Sequence, residues 1–333
     1  MRAIVLNHGG LSYDTGHPAP NPRDGEVLVR VRRAGVCETD LQLVRGYMGF
    51  NGILGHEFVG IAESGPFEGR RVVGEINCSC WTCATCRAGR PSHCPNRTVL
   101  GILNHDGAFA DFIAVPQRNL HPVPVEIPDD VAVFTEPVAA AFQIPAQISV
   151  GRNDRVVVLG DGRLGNLSAQ VLARLSSHVT VVGKHAEKLA LLSNPPAGGH
   201  DHRPPKSGRY ISEISTKLIA DVEPSHDADI VVDCTGSPTG LPTALSLVRP
   251  RGTIVLKTTV AGEQTLALAP IVIDEVTIVG SRCGPFDRAL TALETGEVSV
   301  LPLISARYPL DDGLAAVEHA RTKPTLKVLL DVS

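Results

Sequence analysis

The sequence predicts an α/β protein in two parts, a doubly wound parallel sheet and a second, mainly β unit. Short β-type runs at residues 26–32, 58–63, 71–75 and 109–115 sit among glycines and prolines in the first part of the chain. From Asn153 the texture changes. Arg155–Leu159 is a continuous apolar run, followed by a glycine-rich turn and a helix-prone stretch at 164–175. Further apolar runs at 179–182, 230–233, 253–256 and 276–279, with a helix-prone stretch at 186–192, repeat the alternation. Strands that are apolar on both faces and alternate with helices belong to a parallel sheet covered on both sides.

At 333 residues the chain is too long for one small core and suits two domains. The expected division places 1–140 and 281–333 in the mainly β domain and 141–280 in the parallel-sheet domain. The apolar run at 325–332 then returns to the first domain as a strand. Hydrophobic residues at 43% and charged residues at 20% describe an ordinary soluble protein. Aromatics at 4% leave the core to Val, Leu, Ile and Ala. A formal net charge of -4 offers no basic field to nucleic acid or to an anionic membrane, so neither partner is expected. The opening run Met1-Arg2-Ala3-Ile4-Val5-Leu6 is too short for a signal peptide, and no apolar stretch reaches the ~18 residues of a membrane span. The expectation is a cytoplasmic protein whose eight cysteines stay reduced, as metal ligands or buried thiols. Residues 193–206, with four prolines, two glycines and two histidines, read as a surface loop. His200 and His202 are then solvated loop residues rather than a metal tract.

Cys80-x2-Cys83-x2-Cys86-x7-Cys94 is the most specific local signal. Four soft donors on a tight loop match tetrahedral zinc with no open position, a closed structural site. Cys78 lies outside the spacing. The second signal is Gly160-x-Gly162-x-x-Gly165, which follows the Arg155–Leu159 strand and opens a helix with Arg163 and Leu164. In that setting the glycines permit a tight turn and close backbone approach, and helix N-terminal amides hold a pyrophosphate. This is a Rossmann dinucleotide site. An NAD site usually carries an acid at the end of the next strand, about 20 residues on, to hold the ribose 2′-hydroxyl. Here that strand ends Val181-Val182-Gly183-Lys184-His185, with no acid and two potential cations. The expectation is NADP(H) over NAD(H). Thr235, within Cys234-Thr235-Gly236-Ser237, ends a later strand, where such ends lie over the cofactor. Cys234 and Cys283 read as buried thiols.

Several further motifs point the same way in combination. Gly35-Val36-Cys37-Glu38-Thr39-Asp40, Gly55-His56-Glu57-Phe58-Val59-Gly60, Thr135-Glu136-Pro137, the four-cysteine lobe and the Gly160–Gly165 turn occur in one order along nearly the whole chain. In that order they resemble the zinc-containing medium-chain alcohol, polyol and threonine dehydrogenases. The resemblance implies a GroES-like catalytic domain carrying the structural-zinc lobe at about 78–96. It implies two zincs per chain, the catalytic one on Cys37, His56 and Glu136, with Glu57 a transient ligand or a near neighbour. It implies that Thr39 passes on the alcohol proton, that Asp40 orients His56, and that Arg282 approaches the cofactor. A homodimer or homotetramer is the usual assembly.

The implied reaction moves a hydride between an alcohol, polyol-like or simpler, and NAD(P), with zinc as Lewis acid. Two departures shift the likeness toward the polyol and threonine branches. Gln42 stands where many alcohol dehydrogenases continue the proton relay with histidine, and Glu38 stands where some members place a base against the cofactor phosphates. A zinc-independent NADPH quinone or enone reductase of the same fold lacks the Cys37, His56 and Glu136 set. A nucleotide-binding redox sensor with structural zinc alone has no use for Thr39 and Asp40. Metal analysis separates these readings: two zincs per chain mark the dehydrogenase, and one marks either rival.

Overall fold

The computed structural model describes residues 1–8, 10–193, 213–258 and 265–332. Most of the proline- and histidine-containing segment at 193–206 lies outside the described residues. The chain divides into two compact units, Met1–Glu136 with Leu303–Ser333, and Pro137–Pro302.

The spine of the first unit is the strand Glu26–Val36. Val27, Val29 and Val31 are buried on it at every second position, the period of a pleated strand with one covered face. It pairs antiparallel with Glu57–Ala62, Phe112–Pro116 and Lys327–Asp331. Lys327–Asp331 in turn pairs in parallel with Ile304–Pro309. The C-terminal apolar run is therefore a strand of this mixed sheet. Ile4, Val29, Leu54, Phe109 and Leu330 are fully buried in its core, mostly aliphatic as the low aromatic content requires.

The second unit is a six-stranded, all-parallel sheet. Its order is Ile214–Leu218, His178–Gly183, Arg155–Leu159, Ala228–Asp233, Val248–Leu256, Thr277–Gly280. In chain order this is 3-2-1-4-5-6, the doubly wound dinucleotide-binding topology. Val156, Val158 and Leu159 are buried and Val157 is half-buried, because both faces of an inner parallel strand are covered.

The observed division falls after Glu136 and after Pro302, against the expected 140 and 280. The later boundary has a clear cause in the helix Phe286–Glu294. Its buried Phe286, Ala289, Leu290 and Leu293 form an apolar stripe, Arg288 lies over the Phe142 ring at 4.6 Å, and Arg288 and Arg174 both reach Glu297. All of these residues belong to the second unit. No helix among the described residues is long and apolar enough to cross a membrane.

Candidate active site

Three neighbouring strands carry the site of the first unit. Cys37 follows the Glu26–Val36 strand and stands at the N-cap of the helix Glu38–Val44. Its backbone N–H donates to Asp40 Oδ2 at 2.8 Å, so the turn that starts the helix also fixes the thiol. His56 immediately precedes the strand Glu57–Ala62, and Glu57 pairs across from Gly35. Lys327 opens the strand on the other side of Glu26–Val36. The sheet register thereby gathers residues far apart in sequence.

The donor atoms of Cys37, His56 and Glu57 lie within 4.8 Å of one another. His56 and Glu57 are buried, Cys37 is half-buried, and Asp40 is wholly buried behind them. Asp40 Oδ1 is 3.3 Å from His56 Nδ1, a close electrostatic pair in which neither atom completes a well-aligned hydrogen bond. Burial alone would depress the His56 imidazole, but the negative charges of Asp40 and Cys37 outweigh it and hold the group well above its ordinary value. Thr39 is half-buried, with its hydroxyl 3.9 Å from Cys37 Sγ. Gln42 donates its amide N–H to Glu38 at 2.7 Å, so both departures from the usual pattern are spent on each other. Glu136 does not join the trio; it lies in the first turn of the helix Thr135–Gln147.

Lys327 is a site residue that the motif reading missed. Its side chain is fully buried, and its ammonium donates to Glu57 and lies 5.4 Å from the centre of the Phe134 ring. Burial pulls its pKa down to about 8, against the opposing charges of Cys37 and Asp40. A Cβ on Gly35 would stand 2.9 Å from both Glu57 Oε2 and Lys327 Nζ, so glycine there makes room for the pair. The signal was present in the sequence: Lys327 interrupts the apolar run Leu326-Lys327-Val328-Leu329-Leu330, and a lysine inside a buried strand needs a partner.

The donor chemistry fits zinc. A thiol, an imidazole and a carboxylate converge in a site with few water contacts, and a buried acid stands behind the imidazole. The four-cysteine lobe fits equally well. Cys80, Cys83, Cys86 and Cys94 bring their sulfurs within 4.8 Å of one another, with Cys80–Cys94 at 3.4 Å and Cys83–Cys94 at 3.8 Å. Thiolates at zinc–sulfur distances of about 2.3 Å on a tetrahedron stand about 3.8 Å apart. The short helix Ala84–Arg87, capped by Cys83, turns the chain back within the cluster. The Thr82 hydroxyl and neighbouring amides pull the Cys80 thiol down to about 5, while burial pushes Cys86 up to about 12. The backbone N–H of Cys86 likewise lowers the Cys83 thiol, so the cluster holds two thiols already drawn toward the thiolate form that zinc binds. Cys78 stays outside the cluster, its thiol also pushed up to about 12 by burial.

In the second unit the glycine-rich turn has the expected form. Gly162 caps the helix Arg163–Leu172, whose first turn holds Arg163, Leu164 and Gly165. A Cβ on Gly165 would lie 1.9 Å from the Gly160 carbonyl oxygen, so only glycine lets the helix start this close to the strand end. A Cβ on Gly162 would meet nothing within 4 Å, which leaves that backbone open to a ligand. At the end of the strand His178–Gly183, Lys184 is exposed and His185 half-buried. The strand end itself has no acid, yet the structure brings one to it from the turn. Asp161 Oδ2 accepts from the backbone N–H of Lys184 and of His185, each at 2.6 Å, and faces the His185 ring nitrogen at 3.1 Å. Burial works against the Asp161 charge, but these donors outweigh it and hold the carboxyl below its usual range. Thr235 is half-buried with its hydroxyl donating to Asp233 at 2.8 Å, a bond inside its own loop. Arg282 is exposed just beyond the strand Thr277–Gly280, and its carbonyl lies 3.4 Å from the buried ammonium of Lys257. Cys234 is buried deeply enough to push its thiol up to about 12.

Comparison with known proteins agrees with this architecture. Residues 23–125 match the alcohol dehydrogenase GroES-like domain, and residues 164–296 match the zinc-binding dehydrogenase domain. The sorbitol dehydrogenase of Halalkalibacterium halodurans is 29% identical over 349 aligned residues, covering 99% of each chain. An Escherichia coli alcohol dehydrogenase solved with NADH superimposes with a TM-score of 0.86 at 25% identity, covering 100% of this chain and 99% of that one. A zinc-binding dehydrogenase of Sinorhizobium meliloti, solved with NADP, shares the fold with a TM-score of 0.85 at 24% identity, covering 99% of each. Fold and sites together define a zinc-type, nicotinamide-linked oxidoreductase. The chain belongs to the zinc-binding, alcohol-dehydrogenase-like family of medium-chain dehydrogenases.

Proposed function

We propose that this dehydrogenase interconverts a polyol or sugar-like alcohol with its carbonyl, using NADP(H) in preference to NAD(H) and two zincs per chain. The observation that carries the reading is the buried Cys37, His56 and Glu57 trio with Asp40 behind His56. When bound, the zinc polarises the substrate oxygen as a Lewis acid. Cys37 and His56 would hold it. Asp40 faces Nδ1 of His56 and would orient the imidazole as a ligand. Glu57 is the carboxylate already beside them, and Glu136 is the ligand that the family resemblance implies. Zinc content of Glu57→Gln and Glu136→Gln separates the two: loss of one zinc only in the second makes Glu136 the ligand. The Thr39 hydroxyl receives the alcohol proton, and since Gln42 cannot titrate, that proton leaves through water.

Turnover across a panel of polyols, simple alcohols and aldehydes, followed by nicotinamide absorbance with both cofactors, tests the reading. Absence of turnover throughout would return the chain to a sensor role. The name of the sorbitol dehydrogenase relative supports a polyhydroxy substrate. Lys184 and His185 support the phosphorylated cofactor, as does the sequence around them. A cytoplasmic location accords with the reduced cysteines both zinc sites require. Of the two expected assemblies, homodimer and homotetramer, we propose the dimer, formed through the edge of the parallel sheet. Thr277–Gly280 is an end strand there, and Leu268, Val272 and Ile273 nearby are 63%, 74% and 76% exposed. Ile273→Glu is expected to yield monomers by sedimentation, and an unchanged assembly would refute the interface.

A further inference from the structure

We propose that Asp161, contributed by the glycine-rich turn, is the carboxylate that reads the adenosine ribose in this chain, and that it restrains binding of the 2′-phosphorylated cofactor. The proposal rests on the dinucleotide binding at this turn. In doubly wound sheets the acid that accepts from the ribose 2′-hydroxyl projects from the end of the second strand. Here that position is Gly183, and Asp161 fills the space: a Cβ on Gly183 would stand 2.5 Å from Asp161 Cβ and Oδ2. An acid on the strand end and Asp161 in its observed place are sterically exclusive. The carboxylate has moved across to the neighbouring loop rather than disappeared.

Its hydrogen bonds define what the position accepts. The backbone amides of Lys184 and His185 open the helix Ala186–Ser193, where a 2′-phosphate would seek donors. Both already donate to Asp161 Oδ2. Asp161 Oδ1 and Oδ2 also face His185 Nδ1 at 3.2 and 3.1 Å, and the Asp161 side chain is only 10% exposed. A neutral hydroxyl can donate to this anion. A phosphate must displace it or tolerate its charge at close range. The Lys184 and His185 side chains pull the other way, so cofactor preference is a balance between these two groups and Asp161. With the carboxylate neutralised, the Lys184 ammonium acts unopposed.

Asp161→Asn, which keeps the shape, and Asp161→Ser, which vacates the space, test this against wild type. Equilibrium dissociation constants for NADPH and NADH are read by nicotinamide fluorescence, and those for 2′,5′-ADP and ADP by calorimetry. The two fragments probe the adenosine end without any hydride chemistry. The ratio of affinities, phosphorylated over unphosphorylated, is expected to rise by about tenfold in both variants, matching the removal of one nearby like charge. A ratio that stays within about twofold of wild type, or shifts toward NADH, would show Asp161 to be only a helix cap and overturn the proposal. Binding of neither cofactor by wild-type protein would instead overturn the nucleotide-site reading itself.

Discussion

Replacing Lys327 by methionine removes the ammonium paired with Glu57 and leaves the side chain's size nearly unchanged. Both side chains are fully buried, so neither the attraction nor its loss is screened by solvent. Methionine can still pack on Phe134, so the change is electrostatic rather than a cavity. Breaking a buried pair while keeping the other charge typically costs about 3–5 kcal/mol. The low end is expected here, because the carboxyl can take up a proton once its lysine is gone. The measurement is a denaturant titration followed by Trp81, the single tryptophan, which lies in the same unit as Lys327. The midpoint should fall with an unchanged slope. Lys327→Met combined with Glu57→Gln should recover at least about 1 kcal/mol, because the coupling is pairwise. A single-variant loss under about 1 kcal/mol, or strict additivity in the double variant, would refute the idea that this pair holds the site together.

Cys94 is wholly buried within the sulfur cluster, so Cys94→Ser should cost one of the two zincs proposed per chain by elemental analysis and lower the thermal midpoint. Retention of both zincs would remove Cys94 from the ligand set. Asp129 accepts from Arg32 at 2.6 Å and from Arg71 at 3.0 Å, and although burial opposes its charge the two arginines hold its pKa below the ordinary value. A carboxyl lowered on folding stabilises above its unfolded pKa of about 3.9, and that stabilisation is lost as pH falls through the folded value. Asp129→Asn should therefore lose about 1 kcal/mol near neutrality, with the gap to wild type closing only in acid. A gap independent of pH would place the effect in packing. Gly35→Ala should press a Cβ against Glu57 and Lys327 and lower the denaturant midpoint of the first unit while leaving dinucleotide binding by the second unit unchanged, as read by Trp81 fluorescence and cofactor titration.

Much of this architecture was legible because it rests on local patterns. The period-two burial on Glu26–Val36 and the unbroken apolar run Arg155–Leu159 name their own environments. The four cysteines and the glycine turn encode geometry within a few residues, so spacing alone suffices. What escaped is tertiary. The helix Phe286–Glu294 carries its apolar stripe in plain view, but nothing local says which unit that stripe will cover, and the boundary shifted accordingly. The strand Ile214–Leu218 is an exposed edge with a single buried residue and gives almost no hydrophobic signal. Asp161 and Gly183 complement each other across two strands, a relation that no linear spacing rule contains. Glu57, given with Glu136 as a candidate carboxylate ligand, is the one whose oxygen stands with Cys37 and His56.

The charge balance of that trio explains why its residues belong together. A thiol and two carboxyl groups, Cys37, Asp40 and Glu57, converge in a region of low exposure, and Lys327 donates to Glu57. Unpaired buried charge is costly enough that proteins neutralise it by proton uptake or by a cation. The charges of Asp40 and Cys37 accordingly outweigh burial and hold His56 well above its ordinary pKa. A divalent cation held by Cys37 and His56 would balance the same charges, and because it would compete with protons for both groups its affinity is expected to rise with pH. Lys327 limits how far the exchange can go, since it already satisfies Glu57. The Lys327→Met variant should therefore gain affinity for the catalytic metal relative to its loss of fold stability. Competition with a chromophoric chelator measures that affinity, and a weaker metal in the variant would show that Lys327 positions Glu57 for the ion rather than competing with it.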